Sequence, residues 1–128
     1  MKKLLTTTLV LIMTVGFITS TSFAEDKGNA AEGKVQYDNI CASCHGATGK
    51  GDGVAAAALD PKPRDLSDAA YVSTLSNEHL YKVISEGGPS VGLSPMMAAW
   101  SGVLSEQQIW DVIAYIHKDL CKCEYKGE

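Results

Sequence analysis

One pentapeptide constrains this chain more than any other feature: Cys41-Ala-Ser-Cys44-His45. On a helix, two cysteines three residues apart lie on one face. Each thiol can then add to one of the two vinyl groups along a haem edge, while the following histidine turns onto the iron. The spacing matches covalent attachment of a c-type haem. Two other uses of paired cysteines fit less well. A thioredoxin-like redox pair normally follows a strand in a βαβ unit, and no period-two apolar pattern argues for a strand here. A zinc site needs two further ligands at matching spacing, and Cys121 and Cys123, with one residue between them, match poorly.

The 128 residues suit one ordinary domain. The chain opens with Lys2 and Lys3, a mostly apolar run from Leu4 to Ile18, and small residues that put Ser22 and Ala24 where a signal peptidase reads. A leader over residues 1–24, cleaved after Ala24, is therefore expected, with residues 25–128 as the mature domain. No cysteine follows the cut, so the leader is not of the lipoprotein kind. The rival is an uncleaved anchor, because Leu4 to Ala24 just reaches across a hydrocarbon core of roughly 30 Å. Thr6, Thr7, Thr8 and Thr14 dilute that reading. Export implies a periplasmic location, with oxidising conditions and no membrane span after cleavage. Eleven basic residues less Lys2 and Lys3 leave nine against fifteen acidic ones, a net charge of −6. Such a balance offers no footprint for nucleic acid.

Past the leader the pattern is helical. From Asn29 to His45, residues Gly33, Tyr37, Ile40, Cys41 and Cys44 recur at spacings of three and four, making one stripe. Residues 46–64 hold four glycines and two prolines around a short alanine run and read as a long loop with one helical turn. So long a loop in so small a domain needs something to wrap around. A short helix is expected within 67–73. A clearer one is expected over 77–86, with Ser76 as N-cap, Leu75 and Leu80 as a hydrophobic staple and Gly87 as the stop. A second irregular stretch, 87–102, contains Pro89, Pro95, Met96 and Met97. The last helix opens with a Ser105/Gln108 capping box, and Ile109, Val112, Ile113, Ile116 and Leu120 form its apolar face. His79 and His117 read as surface residues, with His79 the alternative to methionine in a bis-histidine state; Cys121 and Cys123 read first as a tight local disulfide, with a cap against another chain or a metal site completed by other partners as the alternatives.

The motifs also occur in a recognisable order. It runs Cys41 to Gly46, Gly49-Lys-Gly-Asp-Gly53, Asp60-Pro-Lys-Pro-Arg-Asp-Leu66, Gly87-Gly88, Ser94-Pro-Met-Met97 before Trp100, and Leu104-Ser-Glu106 through Trp110 to Ala114-Tyr-Ile116. With this series the mature chain resembles the monohaem class I cytochromes c. The resemblance implies a small all-α cytochrome c fold of about four helices wrapped around one covalently bound haem c. Cys41 and Cys44 would carry the thioethers and His45 would be the proximal iron ligand. The family's distal methionine stands three residues before an aromatic, so Trp100 selects Met97 over Met96. Ala98 stands where the family usually has proline, which loosens the ligand loop. A proline carbonyl, that of Pro63 rather than Pro61, would fix the His45 ring. Arg64 and Trp100 would serve the haem propionates. Gly33 and Tyr37 against Ile113 and Tyr115 would form the family's helix crossing.

Ligation by His45 and Met97 fills both axial positions, which describes an electron-transfer protein rather than an enzyme. The expected function is a periplasmic single-electron carrier of a respiratory chain. A haem subunit or domain of a larger periplasmic oxidoreductase or terminal oxidase is the alternative. A haem enzyme or gas sensor would need a displaceable distal ligand. The acidic surface implies redox partners with basic docking patches, and association that slows as salt rises.

Overall fold

The computed structural model describes residues 27–125, so the expected leader lies outside the described residues. Asn29 caps the first helix, its side-chain oxygen accepting from the Ala31 N–H at 3.0 Å. Helix α1 (Ala30–Gln36) runs without a break into a π turn (Tyr37–Cys41) and then α2 (Ala42–His45). The long stripe therefore forms one helical rod, widened in the middle. Gly46, at φ 79°, ends it.

Helix α3 (Ala69–Val72) starts at Asp68, whose carboxylate caps the Ala70 and Tyr71 amides. Helix α4 (Asn77–Glu86) has the expected bounds, with the Ser76 hydroxyl accepting from the His79 N–H and Gly87 at its end. Helix α5 (Glu106–Tyr115) opens on the Ser105/Gln108 capping box and closes in a second π turn, Ile116–Leu120. Short 3₁₀ turns, Ala56–Ala58 and Gly88–Val91, punctuate the two irregular stretches. Among the described residues there is no strand, and no helix is long and apolar enough to cross a membrane.

The core is the seam between α1 and α5. Tyr37, Val72, Ile109 and Val112 are the largest fully buried side chains, and Leu80, Ile84, Leu104, Ile113 and Ile116 pack with them. The Tyr37 and Tyr115 rings meet at 5.2 Å between centroids. A β carbon on Gly33 would stand 1.8 Å from the Asp111 carbonyl oxygen, so only glycine lets the two backbones touch. The crossing is tied by the buried Asp111 carboxylate, which accepts from the Asn29 amide at 2.7 Å and from Gln107 Nε2 at 3.0 Å. Gly33→Ala must push two helices apart against close packing. A loss on the order of 3 kcal/mol is expected, at the upper end for overpacked cores. Urea unfolding of the holoprotein measures it, and a midpoint unchanged from wild type would contradict the crossing.

Candidate functional site

Burying the seam leaves the opposite side of the rod facing a cavity of about 660 Å³, within the usual size of cofactor sites, roughly 300–1,000 Å³. Cys41, Cys44 and His45 line it from the end of the rod. The long loop closes one side with Leu59 to Leu66, α4 supplies Leu80, Val83 and Ile84, the segment after it supplies Leu93, Met97 and Trp100, and α5 supplies Val112 and Ile116.

The loop's path explains how it reaches the cavity. It folds back over the rod through the Gly51 amide to the His45 carbonyl (2.8 Å), Gly53 to Cys44 (3.1 Å) and Ala55 to Ser43 (2.9 Å). The buried Tyr37 hydroxyl donates to the Gly46 carbonyl at 2.8 Å, anchoring the motif's end to the core. The expected Pro63 contact to His45 is corrected by one residue: the His45 Nδ1 lies 3.1 Å from the Arg64 carbonyl. The reason is local. Gly51, at φ 73°, takes the Pro63 carbonyl so closely that a β carbon there would be 2.2 Å from it, which turns the next carbonyl toward the imidazole. A carbonyl only accepts, so His45 donates from Nδ1, and Nε2 keeps its lone pair. Burial pulls the His45 pKa below its ordinary value, the Arg64 carbonyl opposing it. Burial is the larger effect, and the lowered pKa favours the neutral imidazole, the form that binds iron.

Cys41 and Cys44 are not bonded to one another. Burial, with a smaller contribution from Cys44, pushes the Cys41 thiol up to about 12. An exchanging redox cysteine works as thiolate, so burial of the Cys41 thiol disfavours that use. A neutral thiol beside an apolar cavity fits addition to a vinyl group.

Met97 is half-buried, lines the cavity and packs on the core. Its amide donates to the Ser94 carbonyl (3.1 Å) and its carbonyl accepts from the Gly88 amide (2.9 Å), so the Gly87-Gly88 pair holds the methionine turn. Met96 also borders the cavity but is 60% exposed. Trp100 lines the cavity, its amide tied to the Ile84 carbonyl at 2.9 Å. Arg64 is exposed at the rim, with its guanidinium 5.2 Å from the Tyr71 ring centroid. Both histidines read as surface residues are half-buried. His79 lines the cavity, one turn before Val83 on the same helix face, a spacing that marks it. The Arg64 carbonyl, a backbone atom, carries no such signal. Cys121 and Cys123 form the expected local disulfide. An apolar cavity of this size, two unbonded thiols, a neutral imidazole and a half-buried thioether together fit a covalent haem.

The cytochrome c family matches residues 30–118. A cytochrome c-554(547) of Halothiobacillus neapolitanus is 36% identical over 94 residues, 70% of this chain and 94% of that protein. The cbb3-type cytochrome c oxidase subunit CcoP of Azospirillum sp. (strain B510) is 32% identical over 94 residues, 73% of this chain and 30% of the subunit, so the chain spans under a third of that relative. Among solved structures, the reducing HAO-like protein complex of Kuenenia stuttgartiensis aligns with a TM-score of 0.55 at 28% identity, over 73% of this chain and 43% of that one. Cytochrome CL from Methylophaga aminisulfidivorans shares the fold, with a TM-score of 0.53 at 19% identity over 71% of this chain and 55% of that one.

Proposed function

Because the chain belongs to the cytochrome c family, whose domains transfer electrons, we propose that it is an exported, periplasmic carrier of single electrons with haem c held by Cys41 and Cys44. When bound, the haem supplies an iron centre that gains and loses one electron. The chain's own residues do the rest. His45, oriented by the Arg64 carbonyl, and Met97, held on the Gly88 amide, would be the residues that hold the iron. Leu80, Val83, Ile84, Val112 and Ile116 exclude water from the macrocycle's faces. Arg64 and Trp100 serve the propionates at the rim.

The observation that carries this reading is the single cavity shared by the attachment motif and the Met97 turn. His45 and Met97 together would occupy the iron and leave no position for substrate, which supports a carrier rather than an enzyme. In the proposed mature form, residues 25–128, the net charge of −6 selects partners with basic docking patches. Carbon monoxide added to the dithionite-reduced holoprotein at neutral pH is expected to leave the visible spectrum unchanged. A prompt shift would overturn the two-ligand reading in favour of a haem enzyme or gas sensor. A second reading, a subunit or domain of a larger oxidoreductase, is supported by similarity to a much longer terminal oxidase subunit.

A further inference from the structure

The cytochrome function uses the cavity and leaves the other end of α5 unexplained. There the π turn Ile116–Leu120 carries the chain into a hook, where Cys121 and Cys123 are joined and His117 leans over them. His117 and Cys121 are four residues apart in this helical turn and share a face. The His117 Nδ1 lies 4.0 Å from the Cys121 sulfur, 3.9 Å from the Cys123 sulfur and 3.1 Å from the Cys123 carbonyl oxygen. The other ring nitrogen is taken. His117 Nε2 lies 2.9 Å from Asn77 Oδ1, across 40 residues of sequence, which holds the ring over the sulfurs, while Nδ1 faces the Cys123 carbonyl and offers a lone pair to an ion only once that contact opens with the hook. Metal-binding histidines are oriented in this way, by an acceptor on the second nitrogen.

We propose that His117, Cys121 and Cys123 form a redox-gated site for a thiophilic d¹⁰ cation, zinc(II) or copper(I). The three potential ligand atoms all lie within 4.8 Å of one another. With metal–sulfur bonds of about 2.3 Å and metal–nitrogen bonds of about 2.0 Å, a tetrahedral ion needs nitrogen and sulfur about 3.5 Å apart. The ring therefore has only a few tenths of an ångström to close. The sulfurs must separate from bonding distance, and Lys122 shows why they would. Between the cysteines it sits at φ 50°, a conformation that a lysine rarely adopts, and cleaving the bond frees that turn to relax. A disulfide closing so short a loop constrains the unfolded chain little, so stability is a weak reason for its being there. Cys121 is buried and Cys123 half-buried, so the attack falls on the Cys123 sulfur.

Opening needs a dithiol reductant. Its two thiols become a disulfide, the Cys121–Cys123 bond breaks and two protein thiols form. On binding, both thiols give their protons to water, the two thiolates and His117 Nδ1 hold the ion, and the fourth position stays open to water or a partner's ligand.

The test uses intact holoprotein, in which thioether-bound Cys41 and Cys44 would not compete. One sample is left oxidised and one is reduced anaerobically with a water-soluble phosphine, which becomes its oxide. Each is exposed to zinc(II) alone, or to copper(I) alone, desalted and analysed for metal. The reduced protein is expected to retain about one ion per chain, at least tenfold more than the oxidised protein. Retention of zinc alone, or of copper alone, identifies the resident ion. His117→Ala and Cys123→Ser should each lose that retention. Asn77→Ala should weaken binding about 10- to 100-fold, the usual cost of a lost orienting contact, while the haem spectrum stays unchanged. Equal retention by oxidised and reduced wild type, or full retention by His117→Ala, would overturn the proposal without touching the cytochrome reading.

Discussion

Cys41→Ser together with Cys44→Ser should give a protein whose haem is removed entirely by acid acetone and lost on a denaturing gel, where the wild type keeps it. Serine hydroxyls do not form the thioethers, so retention falls to what the cavity and the axial ligands supply. The structure sharpens the expectation. Both cysteines line the cavity and neither is committed to a disulfide. Each single variant should keep the haem by one bond. Extractable haem in the wild type would refute covalent attachment.

Met97→Ala should remove the weak methionine-to-iron band from the oxidised spectrum and let the reduced iron bind carbon monoxide. The potential should fall by on the order of 0.1 V, within the roughly 0.8 V range that axial ligands span. Met96→Ala should change little. Its side chain is 60% exposed, so stability should move by no more than about 0.5 kcal/mol, as for other surface substitutions. His79 adds a complication that the spectrum resolves. It lines the same cavity, so a Met97→Ala protein that refuses carbon monoxide and shows a low-spin bis-nitrogen spectrum would mean that His79 has moved onto iron. His79→Ala combined with Met97→Ala should then restore carbon monoxide binding. Loss of the methionine band in Met96→Ala, with its retention in Met97→Ala, would reverse the ligand assignment.

The elements that the sequence specifies most sharply are those whose ends are written in side chains. Ser76 and Gly87 bound α4, and the Ser105/Gln108 box opens α5, because capping is local chemistry between residues a few positions apart. The attachment motif is legible for the same reason. What the sequence hides is set by backbone meeting backbone over long separations. The His45 partner is a carbonyl 19 residues away, and the carbonyl that reaches it is decided by how closely Pro63 lies on Gly51. His117 reads as a surface residue until Asn77, 40 residues earlier, arrives beside it. His79 is an error of weighting, since Val83 one turn on shares its face and the cavity. The π turns at Tyr37–Cys41 and Ile116–Leu120 leave no signature beyond a continuing helical stripe.

The seam between α1 and α5 also sets an order of events in time. Its ties join residues 80 and 82 positions apart, Gln107 to Lys27 and Asn29 to Asp111. As the chain is made from its N-terminus, the first helix is complete long before its packing partner exists. At roughly 5–20 residues per second, several seconds separate the synthesis of His45 from that of Asp111. Throughout that interval Gly33 and Tyr37 have nothing to pack against, and a lone helix of this length is marginal in water. The two thiols are therefore accessible on an unsettled segment, and they become enclosed only when the last quarter of the chain arrives. Chemistry on Cys41 and Cys44 has a window that the fold itself shuts.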